Sequence, residues 1–158
     1  MKALPLALVA VAIWLISRSS SSVADDFDRD VAAILAELEA QGFEPLIWRE
    51  HLGLDECRTQ AEQSAYLEAG TSWTGQSAHL DQDGDGRCQA RDIVDGRLDP
   101  SGYRVYWGSP LELGWDDTRA AMFEAHATAL GVAAMARGLT WGGNWTGDHY
   151  DPAHIEAA

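Results

Sequence analysis

An aspartate and a histidine near the carboxyl end give the first indication of chemistry in this chain. The run DPAH places Asp151 three residues before His154. In a strand or tight turn, such an imidazole can bind a metal ion while the carboxylate faces a water molecule on that ion. The spacing alone is weak evidence, because a surface aspartate and a solvated histidine also explain it. The pair is therefore a candidate hydrolytic site that needs further ligands.

Two more residues could complete a metal site. His79 and Asp92, together with His154, make a set of two histidines and one carboxylate that leaves a fourth position open. That arrangement is typical of catalytic rather than structural zinc sites. From the residues alone the ligand set stays open, because spacing does not exclude the other histidines, which are His51, His126 and His149.

An acidic, glycine-containing loop lies between His79 and Asp92. The run DQDGDGRCQARD matches the template of a calcium-binding loop, with Asp81, Asp83 and Asp85 at alternating positions and Asp92 in twelfth place. A twelfth-position aspartate is shorter than the usual glutamate, and no helix obviously precedes the loop. We expect Asp92 to bind zinc and the other three aspartates to form an exposed acidic turn, which either binds Ca²⁺ or is merely solvated.

The charge of the chain excludes one class of partner. The formal net charge is −14 over 158 residues, and Lys2 is the only lysine. No basic face with interleaved aromatic residues is present. Because nucleic acids are polyanions, a nucleic-acid partner is not expected. The length suits one compact domain.

The first 24 residues form a segment of their own. Lys2 is followed by an apolar run over residues 3–16 and then by a serine-rich stretch with a small-x-small site before Asp25. The apolar run spans only about 21 Å as a helix, less than the ~30 Å hydrocarbon core of a bilayer. We expect residues 1–24 to be either a cleaved signal peptide or a retained membrane anchor, and residues 25–158 to be the functional domain.

The elements that must position these groups are mixed helices and short strands. Helical spacing with cap and stop residues predicts helices over about 25–42, 59–69 and 117–138, the last capped by Asp116 or Asp117. Short strands are expected within 43–50, 91–94 and 103–107 and in the closing pieces LTWGGNW and HYDPAHIE. We predict an α+β fold with a small, mainly antiparallel sheet and flanking helices.

Five ordered segments resemble the successive signatures of one enzyme family. They are CRTQAEQSAYLEAG, GQSAH, ARDIVD, GLTWGGNW and DPAHIE, and the likeness spans about residues 31–156. Their order is similar to that in the zinc peptidoglycan peptidases, which include D-alanyl-D-alanine carboxypeptidases and L-alanyl-D-glutamate endopeptidases, the latter common as phage endolysins. The resemblance implies a hedgehog/D-Ala-D-Ala peptidase-like fold, Zn²⁺ as cofactor and peptidoglycan as partner.

The resemblance also implies a role for each matching residue. His79, Asp92 and His154 match the zinc ligands, and Asp151 matches the residue that deprotonates the attacking water. Arg58 becomes the candidate for stabilising the oxyanion. Ser77 and Gln63 are expected to bind the substrate or to support the residues that do. Trp141 and Trp145 are candidates to line the substrate groove, the alternative being that a tryptophan on a short strand packs in the core.

The chain departs from the family pattern between two of these ligands. Family members usually keep six residues between the ligand histidine and aspartate, whereas twelve lie between His79 and Asp92. The additional residues are DQDGDG. If both ligands share one zinc ion, this insert must bulge outward as a hairpin.

The leading functional interpretation is an exported L-alanyl-D-glutamate endopeptidase, endolysin-like, which lyses cell wall from the periplasm or from a membrane anchor at residues 3–16. A D-alanyl-D-alanine carboxypeptidase is the near alternative. A non-catalytic calcium-binding module on the same fold is the alternative from another class, although the presence of all four metal-site residues argues against it.

Cys57 and Cys88 are the only cysteines. In an exported protein such a pair can oxidise, and the bond would tie the acidic insert to the segment of Arg58. Sequence cannot give the separation of the two Cα atoms, on which a disulfide depends.

Overall fold

The structure is a computed structural model that describes residues 23–70, 72, 74–82, 87–107 and 116–158. The expected signal or anchor run at residues 3–16 and two aspartates of the expected calcium loop, Asp83 and Asp85, lie outside the described residues. Among the helices that the structure describes, none combines the length and apolar character needed to cross a membrane.

The described part of the chain contains four α-helices. They are α1 (Val23–Ala40), the short α2 (Trp48–His51), α3 (Gln60–Glu68) and α4 (Asp117–Met135). Helix α3 begins with a capping box, in which the Thr59 hydroxyl accepts from the Glu62 backbone N–H and the Glu62 carboxylate accepts from the Thr59 N–H. Helix α4 is capped by the Asp116 carboxylate, which accepts from the Arg119 N–H. The three long helices lie where the sequence predicts them.

Five short strands form one sheet. They are β1 (Pro45–Ile47), β2 (Ala90–Leu98), β3 (Arg104–Tyr106), β4 (Thr140–Trp141) and β5 (His154–Glu156). The order is β1-β2-β5-β4, β3 also pairs with β2, and every pairing is antiparallel. The predicted α+β fold with a small antiparallel sheet is therefore confirmed.

Three local predictions about strands were wrong. The strand expected over residues 43–50 is limited to Pro45–Ile47, and Trp48 begins helix α2. Strand β2 continues beyond Val94 to Leu98, although DGRL reads as a turn. Gly96 explains this, because a Cβ there would lie 2.7 Å from the Leu46 side chain and 3.1 Å from the Glu44 carbonyl oxygen, so only glycine lets β1 approach this closely. After β4 the chain forms two 3₁₀ turns, Gly142–Asn144 and Gly147–His149, rather than continuing as a strand.

The main hydrophobic core lies between the sheet and helices α1 and α4. From the sheet it takes Ile93 of β2 and Ile155 of β5, both with no exposed surface. Because successive side chains of a strand point to opposite faces, the neighbours Asp92 and His154 project away from this core. The helices supply Phe27, Val31, Ile34, Leu38, Leu130, Ala133 and Ala134.

A histidine of α4 is buried without hydrogen bonds. His126 has no exposed surface, its ring lies edge-on to Phe43 at 5.4 Å, and neither ring nitrogen has a partner among the described residues. Burial, assisted by the positive charge of Arg97 and opposed by Asp95, lowers the pKa of His126 to about 4. An unfolded histidine has a pKa of about 6.5, so the unfolded chain takes up the proton first as the pH falls.

We expect this histidine to destabilise the protein in acid. Above pH ~6.5 the ring is neutral in both the folded and the unfolded chain, and stability does not depend on it. As the pH falls from there toward about 4, the free energy of unfolding decreases. The total decrease is roughly 3 kcal/mol. His126→Leu should flatten the dependence of the unfolding free energy on pH in this window, measured by urea denaturation, whereas replacing the exposed histidine in His149→Gln should not. Equal slopes for wild type and His126→Leu would contradict the assignment.

Candidate functional site

Three potential metal-binding atoms converge at the base of a cleft. Nε2 of His79 lies 3.1 Å from Nδ1 of His154 and 3.2 Å from Oδ1 of Asp92, and the last two atoms are 3.1 Å apart. All three side chains are buried. Residues from a loop and from two strands, far apart in sequence, are thus brought together at one point.

The pairing of β2 with β5 positions two of the three residues. Asp92 and His154 are directly opposite each other in the antiparallel register. Opposed residues of such a pair have neighbouring side chains on the same face of the sheet. The carboxylate and the imidazole are therefore placed by the sheet itself.

The third residue, His79, lies in a turn that backbone hydrogen bonds hold against the sheet. Its carbonyl oxygen accepts from the Arg58 N–H at 2.8 Å, and its own N–H donates to the Ser77 hydroxyl at 3.2 Å. The Ala78 carbonyl accepts from the Gln89 N–H at 2.9 Å, just before β2 begins. Ser77 therefore fixes the turn that presents the imidazole.

Arg58 and Gln63 support this arrangement from the side of α3. Nη2 of Arg58 lies 3.4 Å from Oδ2 of Asp92, the oxygen that does not face the histidines. Nη1 donates to the Gln63 amide oxygen at 3.2 Å. The Gln63 amide nitrogen in turn donates to Ser72 and Thr74, and Gln63 has no exposed surface. Gln63 is therefore placed to hold the Arg58 guanidinium, which favours the supporting one of the two roles left open by the sequence.

Sequence reasoning did not single out Glu156, which contacts the far side of His154. Its Oε2 accepts from Nε2–H of His154 at 3.1 Å. This bond leaves Nδ1 as the nitrogen that faces His79 and Asp92, and a carboxylate on the second nitrogen is a common support for a metal-binding histidine. The signal was available, because alternate residues of a strand share a face and Glu156 is two residues after His154.

The geometry and chemistry of the three atoms fit a zinc ion. In a tetrahedral site with bonds of about 2.0 to 2.2 Å, ligand atoms lie about 3.3 to 3.6 Å apart. The separations of 3.1 and 3.2 Å seen here are slightly shorter. Two nitrogens and one carboxylate oxygen are a donor set that zinc accepts. With lone pairs directed at one another, these atoms favour a positive charge at their centre. The described residues that can hold the metal are therefore His79, Asp92 and His154.

The three groups shift one another's pKa values, and a metal ion bound between them would displace the proton that His154 holds. Burial lowers the pKa of His79, and the neighbouring Asp92 opposes this. Burial by itself would raise the pKa of Asp92, but the charge of His79 and the hydrogen bond to His154 outweigh it and hold that pKa well below its usual range. Burial would lower the pKa of His154, yet hydrogen bonds to Asp92 and Glu156 raise it to about 9.

Asp151 lies at the same cleft, in the turn that precedes β5. Its backbone N–H donates to the Gly142 carbonyl and its carbonyl accepts from the His154 N–H, both at 3.1 Å. Burial, together with the negative charge of Asp92, raises the pKa of Asp151 above the ordinary aspartate value. A carboxylate with a raised pKa beside an open metal position is suited to accept a proton from water.

The two glycines after Trp141 are explained by close packing. A Cβ on Gly142 would lie 2.3 Å from the Asp151 carbonyl oxygen and 3.1 Å from the His154 Cβ. A Cβ on Gly143 would lie 2.2 Å from the Trp141 ring. The WGG run thus lets β4 and the following 3₁₀ turn pack directly on the turn that carries Asp151.

We expect Gly142→Ala to disturb the site through the backbone. Because the added methyl group meets a carbonyl oxygen rather than a flexible side chain, overpacking should cost about 1 to 3 kcal/mol and lower the melting temperature by roughly 3 to 10 °C. Thermal unfolding measures this. Gly75→Ala is the matched control, since an added Cβ there has nothing within 4 Å. An unchanged melting temperature for Gly142→Ala would contradict the packing argument.

The cleft above the three atoms is open and has a volume of about 900 Å³. Trp145 lies on its wall, with its ring 4.9 Å from that of His154. Trp141 does not line this cleft. Its ring packs against the hydrophobic core and its Nε1 donates to the Pro152 carbonyl oxygen at 2.9 Å. The ring supports the Asp151 turn from within, and a role of Trp141 in substrate binding stays a prediction.

Other residues considered from the sequence lie apart from the three atoms. His51 is bonded to Tyr106 and His126 is enclosed by the core, while His149 is on the exposed rim of the cleft. Asp81 is exposed. Cys57 and Cys88 are thiols in the structure.

Comparisons with known proteins identify a solved structure with a similar fold. No family model matches the chain, and no curated protein matches it. Among solved structures the chain is similar to the L-Ala D-Glu endopeptidase ChiX of Serratia marcescens, with 22% sequence identity over 82% of this chain and 79% of that chain and a TM-score of 0.50. At this identity the likeness shows that the two proteins share the α+β fold.

Proposed function

We propose that this chain is a zinc-dependent peptidase that hydrolyses an amide bond in the stem peptides of peptidoglycan, the bond between L-alanine and D-glutamate. The observation that carries the proposal is the convergence of His79, Asp92 and His154 at the base of an open cleft, with Asp151 beside them. This combination is suited to hydrolysis, because metal-binding atoms and a potential base face the same space.

The three converging residues would hold the zinc ion through Nε2, Oδ1 and Nδ1, respectively. Zinc bound there supplies a Lewis acid, which polarises a carbonyl group and makes water a better nucleophile at neutral pH. Glu156 keeps the His154 ring in the tautomer and orientation that this requires.

Asp151 is proposed as the general base and then the general acid. Its raised pKa lets the carboxylate accept a proton from the attacking water and later return it to the departing amine. The backbone bonds of Asp151 to Gly142 and His154 fix the turn from which the carboxylate acts.

Arg58 provides positive charge at the same end of the cleft. Its guanidinium binds Asp92 and also lines the cleft. In that position it offsets the negative charge of Asp92 and Asp151 and can attract a carbonyl oxygen that becomes negative during the reaction. The two functions use one fixed guanidinium, which α3 holds through Gln63.

The substrate assignment rests on the form of the cleft and on the likeness of fold. An open cleft with a tryptophan on its wall suits a segment of a polymer better than a small, enclosed ligand. The structurally similar protein is an L-Ala D-Glu endopeptidase, which supports the same bond here. A peptidoglycan substrate requires export, and the segment of residues 1–24 would serve that export as a signal peptide or an anchor.

Hydrolysis of a defined stem peptide tests the proposal. The substrate is a muropeptide that contains both the L-Ala–D-Glu bond and the D-Ala–D-Ala bond. Purified protein with one equivalent of zinc should release from it a fragment beginning with D-glutamate, identified by mass spectrometry. A chelator should stop the reaction. Removing the chelator and restoring zinc should restart it. Release of D-alanine alone would assign the carboxypeptidase activity instead. No cleavage by the fully zinc-loaded protein would overturn the proposal.

A further inference from the structure

The two cysteines of the chain lie side by side, although residues 58–87 separate them in sequence. Their Sγ atoms are within 4.8 Å of each other, and a side-chain hydrogen bond joins the two thiols. Cys88 is buried with 1% exposed surface, whereas Cys57 is half-buried and lines a surface depression. The pair is therefore partly accessible from one side.

The backbone holds both cysteines in place. Arg58, which follows Cys57, donates its N–H to the carbonyl of His79, and Gln89, which follows Cys88, donates to the carbonyl of Ala78. The two chain segments thus bind consecutive residues of one turn. This backbone framework brings the two sulfur atoms within 4.8 Å of each other, so only a short further approach is needed for a bond between them.

A metal ion is a poorer occupant of this cluster than a covalent bond. Glu56 completes a group of three potential ligands with Cys57 and Cys88. However, the Glu56 carboxylate is bonded to the Arg91 guanidinium, which also donates to the Cys88 sulfur at 3.3 Å and carbonyl at 3.0 Å. A fixed positive charge in contact with two of the three ligands repels a divalent cation.

We infer that Cys57 and Cys88 form a disulfide that closes the segment carrying His79. The oxidant is a disulfide, either of a small molecule such as oxidised glutathione or of a thiol oxidoreductase. The Cys57 sulfur attacks it and releases one thiol, and the Cys88 sulfur then attacks the mixed disulfide and releases the second. One S–S bond is formed and one is broken, and the two electrons and two protons leave with the oxidant as two thiols.

The environment of the pair indicates when the bond forms. Burial raises the pKa of both thiols, and the neighbouring sulfur adds to this for Cys57. Because only the thiolate attacks, exchange in the folded protein is slow in both directions. We therefore expect the bond to form as the chain folds, when both thiols are still accessible.

The disulfide would act on the part of the site that has the least regular structure. The enclosed segment contains Arg58, Ser77 and His79. The only helix among its described residues is the short α3. Joining its ends removes conformations from the unfolded chain, which stabilises the folded state. The inference depends on the position of these residues and not on which peptide bond is cleaved.

Refolding under controlled redox conditions tests the inference. The denatured, reduced protein is refolded with a glutathione redox pair or with reductant alone, then analysed by intact mass and by peptide mapping without reduction. The oxidised product should be lighter by two hydrogen atoms, yield a Cys57–Cys88 peptide and melt about 5 to 15 °C above the reduced protein. Cys57→Ala combined with Cys88→Ala should melt equally under both conditions.

Two results would overturn the inference. One is a protein that refolds with glutathione but keeps two thiols that an alkylating reagent modifies after denaturation. The other is a second equivalent of zinc that is bound by wild type and lost in the double alanine variant, which would make the cluster a metal site. Both readouts are independent of peptidase activity, so failure of the proposed function would not affect them.

Discussion

Replacing Asp151 by asparagine is expected to lower turnover by about 10²- to 10⁴-fold, the usual contribution of a positioned acid or base. The amide has the same shape but cannot accept a proton from water. The bonds that place this residue, from its N–H to Gly142 and from the His154 N–H to its carbonyl, belong to the backbone and are kept. Zinc content and melting temperature should therefore remain those of wild type, while kcat on the defined stem peptide falls.

The control for this substitution is Asp148→Asn. Asp148 is an exposed acid on the rim of the same cleft. Removing its charge tests whether any loss of activity comes from the charge of the cleft in general, and we expect a change of only a few-fold. If Asp151→Asn kept its turnover, or lost its zinc, the residue would not be the general base.

His79→Ala is expected to abolish both zinc retention and hydrolysis. The substitution removes one of only three protein ligands, and roughly 10³-fold or more of the rate should be lost, since the Lewis acid is lost with the metal. Zinc bound per chain after dialysis, together with kcat, measures the effect. The other two ligands lie in paired strands, so the fold should survive.

His51→Ala is the matched control for this second substitution. His51 is also a histidine with a ring-nitrogen hydrogen bond, but its partner is Tyr106 of β3, which is not one of the three converging residues. This variant should keep one zinc per chain and its full activity. Retention of stoichiometric zinc by His79→Ala would show that the metal is held elsewhere.

Much of the fold could be predicted from the sequence because local chemistry decides it. The capping residues Thr59 and Asp116 and the apolar spacing of α1 fix where helices begin and which face is buried. Strand ends were predicted less well, because they depend on contacts between distant residues. The extension of β2 beyond Val94 requires that Gly96 be read as a site of close approach by Glu44, which no local pattern reveals.

The candidate site divides in the same way. The types of His79, Asp92, Asp151 and His154 indicate metal-dependent hydrolysis, but only the resemblance to a family chose these residues over the other histidines. Which of two nearby tryptophans faces the cleft could not be predicted. That choice follows from the chain turning at Gly142, which directs Trp141 to the core and Trp145 to His154.

The three potential ligands are attached to parts of the fold that differ in how easily they open. Asp92 and His154 belong to strands paired with each other, whereas His79 belongs to a turn held mainly by single hydrogen bonds. The turn accepts from the Arg58 and Gln89 N–H groups, and the His79 N–H donates to the Ser77 hydroxyl. Local opening has the lowest free energy where few such bonds must break. Release of a bound ion should therefore be stepwise, with the imidazole of His79 leaving first and the strand pair holding the ion last. A chelator would gain access through that turn, and the residence time of the metal would be set by its opening rate rather than by global unfolding.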